Sequence, residues 1–187
     1  MMLTDWKAGW PHNQHPMAKN TKPRPRRKDD LALHRQWLKR AETVARAPIS
    51  AGGSPHPTVK VGAVLVNAMG KEIAAASNRF AYGLDRRRPE RYKNGSKSLW
   101  INCAEQMAMA EALRKRADIK GATLYVTLDP CAVCAGLAAE LRLKMVCVPV
   151  GSLRRYAKLK AKWKDSIEIG LIKLAEAGIP MTAIDMG

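Results

Sequence analysis

Two short stretches of the chain carry residue types able to do chemistry: Cys103-Ala104-Glu105 and Pro130-Cys131-Ala132-Val133-Cys134. Taken alone, the second stretch reads as two small buried apolar side chains or as a redox dithiol. The redox reading weakens because the pair follows Asp129-Pro130 directly after a strand pattern, with a third cysteine about one β-α unit upstream. Cys131 and Cys134 share one helix face at i,i+3, and Cys103 opens another helix. If those helices lie side by side across neighbouring strands, three thiolates converge. Zinc takes such ligands at about 2.3 Å, and a catalytic zinc keeps three protein ligands with the fourth position for water. Helix N-termini aimed at the metal help to stabilise thiolates.

Glu105 is what makes this a chemical site. Two positions along a helix turn a side chain by about 200°, so Cys103 and Glu105 would diverge in mid-helix. With Cys103 near the cap, both reach one pocket, and the carboxylate can shuttle protons for a zinc-activated water.

These residues must be positioned by a sheet and its covering helices. Asp29 and Asp30 supply N-cap chemistry for a helix to about Ala47, with Leu33, Trp37, Ala41, Val44 and Ala45 on one face. The run 61–66 reads as a buried strand, and 72–77 as a weaker partner joined by the turn Asn67-Ala68-Met69-Gly70-Lys71. Residues 78–100 form a long basic loop without clear periodicity. Helix over 103–117, strand over 122–128, helix over 131–141 and strand over 144–150 follow. A basic segment, a helix near 163–177 and a short strand near 179–184 complete the order, with Gly178-Ile179-Pro180 stopping the last helix. This alternation predicts an α/β fold with a mixed sheet and helices on its faces.

The bulk composition limits the function classes. The chain has 187 residues and a formal net charge of +17, which points to anionic partners such as nucleotides or nucleic acid. One Phe, four Tyr and five Trp make a broad base-stacking platform hard to build. Residues 1–28 read as a basic, flexible arm before a domain over 29–187. No segment is apolar for long enough to span a bilayer, and the N-terminus lacks a signal-peptide stretch. A cytoplasmic location is expected, where a Cys-x-x-Cys is more often metal-binding than disulfide-bonded.

The pair of stretches resembles the H-x-E…P-C-x-x-C signature of the zinc nucleobase deaminases, with Cys103 at the histidine position. Residues 60–66, 77–83, 88–94 and 99–109, together with the tail 163–180, are similar to the deoxycytidylate deaminase branch of the cytidine and deoxycytidylate deaminase superfamily. The resemblance covers about 31–184. It implies a three-layer α-β-α fold with a mixed five-stranded sheet and zinc on Cys103, Cys131 and Cys134. It also implies Glu105 as proton shuttle, hydrolysis of dCMP to dUMP and ammonia, and a homo-oligomer. Asn78 would hydrogen-bond the sugar or base of the pyrimidine nucleotide, and the Ala104 amide would orient the base. One position departs from that branch, which usually carries His as first ligand. Three thiolates leave the zinc site formally −1, and where cytidine deaminases use three cysteines an Arg often follows the Glu. Here Gln106 follows, so helix dipoles or distant basic groups must offset the charge.

Other residues carry two readings. Asn78 is otherwise a turn residue. Arg86, Arg87, Arg88, Arg91, Tyr92 and Lys93 form either a solvated basic loop or a phosphate grip, with Arg88 and Tyr92 the chosen substrate contacts. His56 reads as a loop residue and Cys147 as core. The basic run 153–164, with Tyr156, Leu159 and Trp163 at helical spacing, is a solvated face or, with the N-terminal arm, a nucleic-acid contact. Two alternative functions therefore stand beside the first: a deaminase of cytosine or adenine in single-stranded DNA or RNA, and a non-catalytic zinc-bearing nucleic-acid-binding protein.

Overall fold

The computed structural model describes residues 28–93, 96–156 and 161–187. Strands β1 (Gly62–Val66), β2 (Glu72–Ser77), β5 (Thr123–Val126), β6 (Met145–Pro149) and β7 (Met181–Ile184) form one sheet in the order β2-β1-β5-β6-β7. β1 runs antiparallel to both β2 and β5, whereas β5, β6 and β7 are parallel. The sheet is thus mixed, as the alternating element order implied.

Both sheet faces are covered, and the period-2 rule sorts the strand residues between them. Ala63, Leu65, Leu124, Val126, Val146 and Val148 point into the larger core, with α3 (Ala104–Arg114) and α4 (Ala132–Glu140). Val64, Val66, Tyr125 and Cys147 point the other way, towards α1 (Lys28–Arg46). This double burial explains why 61–66 reads as an unbroken apolar run. Gly62 lets α1 sit against β1, because a Cβ there would lie 2.0 Å from the Ala41 carbonyl oxygen. The last helix, α5 (Ala161–Glu176), packs on α4. Cys147 is the core residue that was expected.

Several local expectations shift. Asp29 and Asp30 lie inside α1 rather than at its cap. Leu33 is exposed, and Leu38 is buried with Ala41 and Ala45, since contact with the sheet decides the buried stripe. The 78–100 segment is not all loop. It holds β3 (Arg79–Phe80), a 3₁₀ turn over Pro89–Tyr92 and α2 (Lys97–Trp100), and β3 pairs with β4 (Ile101–Asn102). Elements this short leave no periodicity to read. The expected arm over 1–28 lies outside the described residues except for its last residue, and so do positions 157–160 of the basic run.

Candidate active site

The site is assembled at the start of two helices. Cys103 directly follows β4 and is the N-cap of α3, with φ −62° and ψ 149°. Because it stands outside the helical spiral, its side chain and that of Glu105 need not diverge, as the spacing argument required. Gln106 Oε1 accepts a hydrogen bond from the Cys103 N–H at 3.2 Å, half of a capping box. Its place after the glutamate is therefore a helix-start role and not a charge-balancing one.

Cys131 is the N-cap of α4, with φ −73° and ψ 169°, and Cys134 lies in the first turn. The connection from β5 is held tightly. The Thr127 Oγ1 accepts from the Gly62 N–H at 3.1 Å, and Ser152 donates to the Asp129 carboxylate. Helix α5 braces the same turn. The Ala132 N–H donates to Ser166 Oγ at 3.2 Å, and Lys173 Nζ donates to the Ala132 carbonyl at 3.3 Å. A Cβ at Gly170 would stand 2.5 Å from the Pro130 carbonyl oxygen and 3.0 Å from the Cys131 carbonyl carbon. Ser166 and Gly170 were not singled out in the sequence. A glycine inside an otherwise helical pattern was the available signal, since it costs about 1 kcal/mol against Ala unless something packs there.

The sulfurs meet. Cys103 and Cys131 Sγ are 3.9 Å apart, Cys131 and Cys134 Sγ are 3.5 Å apart, and all three lie within 4.8 Å of one another. Tetrahedral bonds of about 2.3 Å place two thiolates about 3.8 Å apart, so this donor set fits a zinc ion. The hydrogen bond from Cys103 and then that from Cys134, helped by the Cys134 and Val133 backbone amides, pull the Cys131 thiol down. Cys103 is pushed up, first by its hydrogen bond to Cys131.

Glu105 is 4% exposed. Burial pushes its carboxyl up to about 8, and the charge of Cys131 adds to the rise, while the neighbouring Cys134 thiol opposes it. A buried carboxyl facing three sulfurs is suited to holding and releasing a proton near neutrality. Ala104 is wholly buried beside it. As the first helical residue, it carries one of the amides that α-helix geometry leaves unpaired.

The remaining candidates lie nearby or in the loop. Asn78 is buried just after β2; its Oδ1 accepts from the Val61 N–H and its Nδ2 donates to the Val59 carbonyl, both at 2.9 Å. It fixes the segment leading into β1, beside the strand end that leads to Cys131. Arg88 pairs with Asp85 at 3.8 Å and Glu90 at 3.7 Å. The Tyr92 hydroxyl donates to the Arg86 carbonyl at 2.8 Å, and its ring meets Phe80 edge-on. Arg91 donates to the Asp85 carbonyl at 2.7 Å and lies 4.3 Å from the Trp100 ring centroid. The loop thus closes on itself. His56 Nδ1 accepts from the Val59 N–H at 2.8 Å and shapes the turn before β1.

A family profile for the cytidine and deoxycytidylate deaminase zinc-binding region matches residues 33–150. This chain belongs to that family. Mouse (Mus musculus) deoxycytidylate deaminase is 33% identical over 108 residues, which cover 55% of this chain and 60% of that protein. The match thus spans less than two thirds of that relative's length. The dCMP deaminase of cyanophage S-TIM5, solved in complex with dCMP and dUMP, superposes with a TM-score of 0.62 at 20% identity. That superposition covers 85% of this chain and 99% of the phage chain. A Thermotoga maritima diaminohydroxyphosphoribosylaminopyrimidine deaminase/reductase gives a TM-score of 0.53 at 25% identity, covering 82% of this chain and 37% of that one. The deaminase-like fold expected from the sequence is therefore the fold of this chain. Among the described residues no helix is long and apolar enough to cross a membrane.

Proposed function

We propose that this member of the family is a zinc-dependent hydrolytic deaminase that converts dCMP to dUMP and ammonia. The observation that carries the reading is the meeting of three cysteine sulfurs with a buried carboxyl at the starts of α3 and α4. Cys103, Cys131 and Cys134 would hold the metal, and zinc on three protein ligands supplies Lewis-acid activation of water. Glu105 takes the proton from the attacking water and delivers it to N3 of the cytosine ring. It then carries the second proton, from the hydroxyl now on C4, to the amino group, which leaves as ammonia, while the water oxygen stays on C4 as the carbonyl of the uracil product. The Ala104 amide orients the base, and Asn78 contributes a hydrogen bond to the nucleotide from the wall of the site. The buried position of Glu105 keeps bulk water from competing for its proton. We also take the active form to be a homo-oligomer; Val133, between two of the cysteines, is an exposed apolar group suited to a subunit contact.

Incubating zinc-loaded protein with dCMP, CMP, deoxycytidine and cytidine tests the reading. Preferential loss of dCMP, with stoichiometric ammonia, is the expected result. Failure to convert dCMP removes it. The net charge of +17 favours a second reading, in which the same chemistry acts on a base in single-stranded DNA or RNA. Salt-sensitive oligonucleotide binding with a C-to-U or A-to-I change would select that reading; absence of either excludes it.

A further inference from the structure

A cavity of about 550 Å³ opens between the 49–55 segment, the 79–86 segment and Met107 of α3. That volume lies within the roughly 300–1,000 Å³ typical of small-molecule pockets. Its apolar walls include Ile49, Pro55, Leu84 and Met107, and its charged lining groups are Arg79 and Arg86. Among the described residues no carboxylate lines it.

The arginines of this region fall into two sets. Arg87 pairs with Asp85 at 3.3 Å, Arg88 pairs with Asp85 and Glu90, and Arg91 is held by the Asp85 carbonyl and the Trp100 ring. Arg79 and Arg86, the two that face the cavity, have no side-chain acceptor or carboxylate partner among the described residues. Two guanidinium groups without a carboxylate partner, in an open cavity of mixed polar and apolar walls, favour an anion with several oxygens, because the planar fork binds phosphate bidentately.

The cavity adjoins the candidate active site. Arg79 lies opposite Asn102 in the β3–β4 pair, and Cys103 is the next residue. Asn102 Nδ2 contacts Met107 Sδ at 3.7 Å, and the Met107 N–H donates to the Cys103 carbonyl at 3.1 Å.

We propose that this cavity is a phosphate-monoester pocket, with Arg79 and Arg86 holding the phosphate and the apolar walls taking the attached organic group. The phosphate is either that of the nucleotide substrate, which rests on the deaminase reading, or that of a separate ligand, which does not.

Titration calorimetry on the full chain with dUMP, deoxyuridine and inorganic phosphate tests the pocket, using Arg79→Gln, Arg86→Gln and, as a charge-matched control, Arg114→Gln. The expected result is at least tenfold weaker binding of dUMP or phosphate in both pocket variants, with the control unchanged. For the substrate's phosphate, inorganic phosphate competes with dUMP, and the pocket variants raise KM for dCMP while kcat is kept. For a separate ligand, phosphate binds together with dUMP and the dCMP kinetics do not move. Binding of neither probe by the unaltered protein, or equal binding in all variants, overturns the proposal. These arms read binding, so they decide it even if dCMP is not deaminated.

Discussion

Gln106 closes the first turn of α3 by accepting the backbone N–H of Cys103 at 3.2 Å, so the residue following Glu105, the proposed proton carrier, secures the backbone of a candidate metal ligand. Its truncation therefore acts on the helix start before it acts on chemistry. Gln106→Ala is expected to lower unfolding stability by about 1 kcal/mol, the usual worth of a cap contact. Denaturant midpoints of the zinc-loaded protein measure this, and an unchanged midpoint would show that the contact contributes nothing. Gln106→Glu keeps an acceptor but adds negative charge beside three thiolates, so its kcat should fall further than that of the alanine variant.

Gly170 is the point at which α5 touches the cysteine turn. Its missing side chain lets the helix approach the Pro130 carbonyl, where a Cβ would sit only 2.5 Å away. Gly170→Ala is expected to displace the turn and lower zinc affinity about 10- to 100-fold, the range seen when outer supports of a metal site are lost. Competition with a chromophoric chelator gives the affinity. Wild-type affinity in this variant would mean that the turn shifts freely and is not held by α5.

Glu105→Gln keeps the volume and removes the proton carrier. Activity is expected to fall by about 10²- to 10⁴-fold, the usual contribution of general acid–base catalysis, with one zinc per chain retained. Loss of zinc together with activity would reassign Glu105 to metal retention. Retained activity would remove it from the mechanism.

Removing the metal should loosen the fold at α3 and α4 together. Chelation of the loaded protein, or Cys134→Ser, is expected to lower the thermal midpoint, because binding to the folded state alone adds stability. Scanning calorimetry with and without chelator reads this shift. Equal midpoints would leave the three sulfurs as packing groups.

On the far face of the sheet, the Tyr125 hydroxyl and His34 Nδ1 are 2.9 Å apart. Burial pushes the Tyr125 phenol well above its ordinary range, with the nearby Cys147 adding to the rise. The folded state therefore holds this proton more tightly than the unfolded state. Its contribution is complete below the unfolded pKa of about 10 and is lost as pH rises from there towards the folded value. Tyr125→Phe should cost about 1 kcal/mol at neutral pH through the lost hydrogen bond and should flatten the alkaline decline. Urea melts between pH 8 and about pH 11 compare the slopes; identical slopes would show that another group governs the decline.

The five principal strands and the cysteine-glutamate constellation were legible in the sequence because each rests on a repeating or chemically distinctive pattern. Cys131 and Cys134 declare their shared face by spacing, and alternate residues of 61–66 serve opposite layers. What escaped depends on partners distant in sequence. Leu33 and Leu38 both suit an amphipathic helix, and only the approach of the sheet decides that Leu38 is buried. The β3–β4 pair is two residues long on each side, too short for alternation. Arg79 and Arg86 look like their basic neighbours until Asp85 and Glu90 are seen to engage the others.

The bonding of the described residues between 81 and 100 has a bearing on how such a chain diversifies. Several of the turns are tied by main-chain carbonyls, which Arg91, Tyr92 and Ser96 all use as acceptors. Exchanging outward side chains there leaves those carbonyls in place. Ligand preference can drift across generations while the neighbouring cysteine turn keeps its shape.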